Sequence, residues 1–356
     1  MTKQIFFRIA SVCLAVFFAL IGAEGALRIG GYNYRNVVGD YEEGVGWRYL
    51  PNQKVTTKAF YGIPTTVTIN SLGFRGGEIG PKDKGRSRIL LLGDSFTLGY
   101  GVSDGETVPF YLESLLTKSG RGVEVINGGI GGTTIIQQKR LYEKYGETLE
   151  PDEVILLFCL NDLKDIRNFD NEASLQKRHS EFVRAFKRIF YNTAIGDLVM
   201  RARLGWISRR EAFMNTPSPA YAVSSSAYAA SERAYAKKPD KNLFDIYLKE
   251  FLELAEKTAA TNRPLTFVVL PLGPHPDDYT IAGWSIKKFT EEISARLSAQ
   301  TEGVGVKVFA LYEKFGEEIR KDLSYPDWHY KPEGNRVIAE ILRDYIVEKR
   351  SVKTNY

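Results

Sequence analysis

Ser95 closes the run RILLLGDS at residues 88–95, where an apolar strand pattern gives way to a turn tripeptide. In open parallel sheets, catalytic groups gather at the carboxyl ends of strands, where N–H groups of the next turn or helix face the site. A serine hydroxyl held there is a weak nucleophile until a neighbouring base takes its proton. His329, in Asp327-Trp328-His329, is the base that the pattern offers. Residues i and i+2 of an extended stretch point to the same side. The Asp327 carboxylate can therefore fix the imidazole tautomer and leave the other ring nitrogen for the serine proton. The chain has three histidines, and of the other two only His275, in PLGPHPDD, is a rival.

Two more positions could stabilise negative charge. The run NGGIGG at residues 127–132 ends in Gly132, and glycines let the backbone approach a ligand closely and point N–H groups at an anion. A dinucleotide fingerprint is excluded there, because Thr134 stands where its last glycine belongs and no acidic ribose partner closes the next strand. Asn161, in FCLND, again follows an apolar run. Its amide can donate to a developing oxyanion, a contribution of about 2.7–4 kcal/mol in the transition state. Taken singly, Gly-Asp-Ser and Asn-Asp are also ordinary turn and cap sequences.

These four positions need a frame that brings them together. Apolar runs at 88–93, 123–127, 154–160, 265–272 and 306–311 alternate with amphipathic segments at 108–118, 134–145, 243–261, 286–299 and 333–348. Strands that are apolar on both faces and separated by helices predict a parallel sheet of five strands between two helical layers. Before it, residues 32–88 show turn signals and a β-rich stretch at 54–70, predicting a small β extension with a hairpin near Gly62. The rhythm breaks between residues 162 and 241, where Ala, Ser, Tyr and Pro dominate around 215–242. That stretch reads as an insertion over the sheet, either a surface loop or a substrate lid.

Composition narrows the partners. The 48 basic and 43 acidic residues leave a net charge of +5 with no cationic block, so nothing tracks a nucleic-acid backbone. Cys13 and Cys159 both lie in apolar runs and suggest no disulfide framework. The histidines form no zinc motif, and no metal or organic cofactor is implied. At the amino end, Lys3 and Arg8 precede the uncharged stretch 9–23, which fits a signal-anchor helix over about residues 9–29 or a signal cleaved near Ala23–Ala26. The preceding positive charge favours a cytoplasmic amino end, with the remainder in the periplasm or outside the cell. Arg28 and Arg35 weaken that bias.

In order and context, Gly93-Asp94-Ser95 after the first sheet strand, glycine after the second, asparagine after the third and Asp327/His329 before the last helix resemble the GDSL/SGNH hydrolases. The resemblance covers about residues 88–348. It implies a flavodoxin-like three-layer α/β/α fold with Ser95 as nucleophile. It further implies an oxyanion hole from the Ser95 and Gly132 backbone with the Asn161 amide, His329 as base and then acid, and Asp327 orienting it. The runs GWRYLPN and INSLGFRG resemble membrane-anchored bacterial members. The implied division is an anchor or signal at 1–30, a β-rich extension at 31–87 and a hydrolase domain at 88–350 with an insertion at about 163–242. Three positions depart from the family pattern. Pro326 occupies the acid position of the usual Asp-x-x-His, leaving Asp322 as a distant substitute for Asp327. Phe96 replaces leucine, and Cys159 stands where glycine opens the asparagine block.

The expected function is therefore a serine ester hydrolase acting on a small-molecule, carbohydrate or lipid ester, including acylated envelope material. An O-acyltransferase for an envelope polysaccharide needs the same serine and oxyanion hole. A non-catalytic carbohydrate-binding or scaffold protein can use the same fold, although Ser95, Asn161 and His329 together argue against it.

Overall fold

The computed structural model describes residues 3–58, 62–118, 120, 122–166, 181–203, 240–271, 280–281, 283–300, 306–315, 323–325 and 329–353. It opens with helix α1 (Lys3–Ile29), 27 residues of which none is buried. At about 1.5 Å per residue the helix is roughly 40 Å long, more than the ~30 Å hydrocarbon core of a bilayer. By length and composition it can cross a membrane.

Two antiparallel hairpins follow, β1 (Gly39–Glu42) with β2 (Gly46–Tyr49) and β3 (Gln53–Lys58) with β4 (Pro64–Ile69). The second is the hairpin expected from the β-rich stretch. Alternation along β4 turns Thr65, Val67 and Ile69 inward, and Val55, Val67 and Ile69 form a small core capped by Val37 and Tyr49. The first hairpin, with four residues per strand, is not visible in the sequence as an alternating pattern.

The chain then enters the central sheet. In order come β5 (Ser87–Gly93), α2 (Ser95–Leu98), α3 (Val108–Lys118), β6 (Val123–Gly129), α4 (Ile135–Leu149), β7 (Glu153–Phe158) and a helical stretch α5 (161–166). Two further helices, α6 (Glu181–Tyr191) and α7 (194–203), lie within the expected insertion. Residues 204–239, the richest part of its Ala/Ser/Tyr/Pro stretch, are outside the described residues. The sheet resumes through α8 (Lys241–Ala260) and β8 (Leu265–Val269), then a two-residue hairpin, β9 (Thr280–Ile281) with β10 (Trp284–Ser285). α9 (Ile286–Gln300), β11 (Lys307–Ala310) and α10 (Pro332–Lys353) complete it.

All five main strands are parallel, in the order β11-β8-β7-β5-β6. β7 is buried at every position, as expected for a strand with helices over both faces. α3 packs with α10, and α4 packs with α8. Phe158 of β7 stacks on Phe289 of α9 at 4.2 Å and meets Tyr247 of α8 edge-on at 5.2 Å. Each such fully buried aromatic contributes about 1.5–3 kcal/mol relative to exposure.

The chain runs outward from β5 to β6, then crosses back over β5 to β7. Open α/β sheets bind ligands at such a reversal, beyond the carboxyl ends of the strands. The register sets those ends side by side, with Gly93 opposite both Gly129 of β6 and Leu157 of β7. The turns carrying Ser95, Gly131–Gly132 and Asn161 therefore leave the same edge of the sheet.

Candidate active site

Ser95 is the first residue of α2, a single helical turn that could not persist without outside support. Asp94 caps it, its Oδ1 accepting the Phe96 N–H at 2.9 Å. The turn lies close against the strands because two glycines make room. A Cβ on Gly129 would come within 2.1 Å of the Leu98 amide nitrogen, and one on Gly93 within 2.1 Å of Thr97 Oγ1. At the far end of α2, buried Arg75 donates from Nη1 to the carbonyls of Leu98 at 3.1 Å and Gly99 at 2.6 Å. Its Nη2 reaches the Val102 carbonyl at 2.7 Å, and its Nε pairs with Asp104 at 3.0 Å. A cation at a helix carboxyl end satisfies orphan carbonyls and suits the dipole. Asn127 Nδ2 adds a bond to the Leu98 carbonyl at 3.2 Å.

His329 comes to Ser95 from the stretch before α10, 234 residues later in the chain. Its Nε2 lies 2.8 Å from Ser95 Oγ. The backbone holding it is tied down, with Tyr325 N–H donating to the His329 carbonyl at 2.7 Å and Lys331 N–H to the Leu323 carbonyl at 2.8 Å. The Tyr330 hydroxyl donates to the Pro271 carbonyl, and Asn335 Nδ2 to the Glu106 carbonyl at 2.9 Å. The imidazole stacks on Phe96 at 4.7 Å and faces Tyr100 at 4.9 Å. Phe96, where the family pattern has leucine, thus provides one wall of the histidine slot. Both Ser95 and His329 are half-buried. Asp327, its substitute Asp322 and the rival base His275 lie outside the described residues.

Asn161 opens α5 just beyond β7. Its Nδ2 donates to Asp94 Oδ2 at 2.8 Å and to Asp165 Oδ2 at 3.3 Å. Asp94 thereby joins the turn after β5 to the turn after β7, one carboxylate oxygen for each. Burial pushes the Asp94 carboxyl up, and the bonds from Asn161 and Phe96 oppose that shift. Burial, reinforced by Asp94 and Asp165, holds the Asp162 carboxyl well above the usual range. Burial likewise raises the Cys159 thiol well above its ordinary value, so it stays protonated.

Gly132 sits in the turn after β6 with a left-handed φ of 72° and is exposed. Its neighbour Gly131 donates its N–H to Tyr49 Oη at 3.3 Å, and a Cβ on Gly131 would stand 3.9 Å from Ser95 Cβ. Burial raises the Tyr49 phenol, keeping it neutral. The structure thus gathers Ser95, His329, Asn161 and the Gly131–Gly132 turn at one edge.

Three supporting residues were not singled out from sequence. Asp94 reads as turn chemistry until Asn161 is known to be beside it. Arg75 and Tyr49 come from the N-terminal extension, and only the runs GWRYLPN and INSLGFRG hinted at a role for it. Among the described residues, no group of three or more His, Cys, Asp and Glu side chains is arranged to hold a metal ion.

A family model described as GDSL-like lipase/acylhydrolase matches residues 91–337. Similar solved structures include the psychrotrophic esterase EstA from a Pseudoalteromonas species, at 16% identity and a TM-score of 0.43, covering 76% of this chain and 100% of the other. A lipase/acylhydrolase from Enterococcus faecalis is 14% identical with a TM-score of 0.42, covering 74% of this chain and 96% of the other. The acetyl xylan esterase AlAXEase is 14% identical with a TM-score of 0.43, covering 73% and 99% respectively. No curated protein sequence matches the chain.

Proposed function

Since the chain belongs to the GDSL-like lipase/acylhydrolase family, we propose that it is a serine ester hydrolase with Ser95 as nucleophile and His329 as general base. The observation that carries this reading is the 2.8 Å approach of His329 Nε2 to Ser95 Oγ. That distance lies within the reach required of a general base.

In the proposed cycle, Ser95 Oγ attacks the ester carbonyl carbon while its proton passes to His329 Nε2. The tetrahedral oxyanion is met by the Ser95 and Gly132 N–H groups and the Asn161 amide. Asn161 serves this role by releasing its longer bond, 3.3 Å to Asp165, while its 2.8 Å bond to Asp94 keeps the amide in place. His329 then returns the proton to the departing alkoxide as the carbon–oxygen bond breaks, leaving an acyl group on Ser95. Water, deprotonated by His329, attacks that ester, and His329 returns the proton to Ser95 Oγ as the carbon–oxygen bond breaks and the acid leaves. Asp327 holds the second imidazole nitrogen in this reading.

α1 anchors the chain, and the catalytic part faces the periplasm or cell exterior, where acylated envelope carbohydrate or lipid would be its substrate class. The same acyl-enzyme reaching a glycan hydroxyl instead of water would make the protein an O-acyltransferase. A panel of aryl esters from acetyl to palmitoyl, assayed on the full chain with and without an added glycan, tests both. Hydrolysis should exceed transfer. Ser95→Ala should lower turnover by about a thousandfold or more, as expected when a nucleophile that acts with its base is removed, without loss of fold. Retention of more than a few percent of activity would refute the assignment of Ser95, and dominant transfer to the glycan would refute hydrolysis as the main reaction.

A further inference from the structure

Outside α1, the described residues leave six large apolar side chains exposed, and four of them lie on α6 and α7. Phe186 is 58% exposed, Ile189 71%, Leu198 37% and Val199 49%. A surface helix of a soluble protein normally turns its apolar stripe inward and its polar face to water. α6 does the reverse. Arg184 and Arg188, one turn apart, meet Asp40 of β1, and the Tyr191 carbonyl accepts the Asn36 N–H at 3.4 Å. At 3.6 residues per turn, Phe186, Ile189 and Phe190 fall on the opposite side, where Phe186 and Phe190 stack at 5.8 Å.

The position of α7 indicates what covers this face. Glu24 of α1 accepts the first two N–H groups of α7, from Ala194 at 3.0 Å and Ile195 at 3.1 Å. Tyr32, just past α1, donates to Asp197 Oδ2 at 2.7 Å, and Asp197 is held by Arg201 at 2.7 Å. Glu24 is the residue that ends the uncharged run 9–23. α7 therefore begins at the level where α1 leaves its apolar stretch, which for a spanning helix is the headgroup boundary. Residues 181–203 hold five basic and two acidic residues; Arg184, Arg188 and Arg201 are paired with Asp40 and Asp197, and the segment as a whole keeps the net positive charge that suits an anionic headgroup surface.

We propose that α6 and α7 lie in the bilayer surface as a collar beside the anchor, with Phe186, Ile189, Leu198 and Val199 entering the boundary between headgroups and acyl chains. This rests on α1 being a membrane anchor. The collar would fix how the catalytic edge is held over the membrane, where a single helix alone leaves the rest of the chain free to swivel.

The test uses the full chain carrying Cys13→Ser, reconstituted in nanodiscs containing anionic phospholipid. An environment-sensitive fluorophore is placed singly through Ile189→Cys, Val199→Cys, Val16→Cys or Lys249→Cys, and quenching by lipids with shallow or deep nitroxides is read. Both collar positions are exposed, so labelling them disturbs no core. Probes at 189 and 199 should lose more emission to the shallow quencher than to the deep one. The probe at 16 should respond to the deep quencher and that at 249 to neither. If positions 189 and 199 behave like 249 while 16 is quenched, the anchor stands and the collar falls. A blue-shifted but unquenched probe at 189 would assign the face to a protein contact and equally overturn the proposal. If 16 is also unquenched, the anchor reading fails and the collar with it.

Discussion

Asp162 stands beside Asn161, fully buried, and neither of its carboxyl oxygens has a hydrogen-bond partner among the described residues. Burial and the neighbouring Asp94 and Asp165 raise its pKa well above the ordinary 3.8. The native state therefore keeps a proton that the unfolded chain releases near that ordinary value. The sign follows: the contribution to stability is complete below the unfolded pKa and is lost as pH rises toward the folded one. The slope is about 1.4 kcal/mol per pH unit for each such group. Asp162→Asn removes the titration. Thermal melts should show a shallower loss of Tm as pH rises above the ordinary carboxylate range, and a higher Tm at the alkaline end. An unchanged slope would mean that the carboxyl is ionised in the fold. At this scale the sequence exposes the groups proposed to react and hides those that hold them. Ser95 and His329 lie in recognisable runs, but the reach of Asp94 to Asn161 spans 67 residues and exists only once β5 and β7 are paired.

The element that matters most to the proposed chemistry is α2, one turn of helix fixed by groups from other segments. Arg75 binds three carbonyls around its end and the Asp104 carboxylate. Arg75→Met should let the turn shift, lowering kcat by about a hundredfold, the scale expected from roughly 1 Å of misplacement, while KM changes little. Arg75→Lys should recover only a small part, because an ammonium cannot reproduce the fork. Wild-type kcat in Arg75→Met would show that α2 is positioned by Asp94, Asn127 and the glycines without Arg75. The elements of the sheet were legible because burial on both faces writes an uninterrupted apolar run, as in β7. The β1–β2 hairpin was not, since its strands are short and its partners polar. α6 was concealed differently. Its apolar period, Phe182, Phe186, Ile189 and Phe190, is present, but it sits in a segment without strands, and periodicity cannot tell an inward stripe from an outward one.

Across the whole molecule, the fold converts distant stretches of sequence into one edge. The extension before β5 supplies Arg75 and Tyr49, the reversal between β5 and β7 opens the crevice, and the stretch before α10 delivers His329. In the proposed reading, α1 and the collar bear on where this edge works, and the edge itself bears on what it does. The central claim is that Ser95, activated by His329, takes up the acyl group. An aryl phosphonate ester transfers phosphorus to an activated serine and stays there, so mass spectrometry of the intact chain followed by peptide mapping tests that claim most directly. One phosphonyl group should be gained, located on Ser95, absent from Ser95→Ala and acquired far more slowly by His329→Ala. Labelling of another residue, or unlabelled protein that still hydrolyses esters, would contradict it.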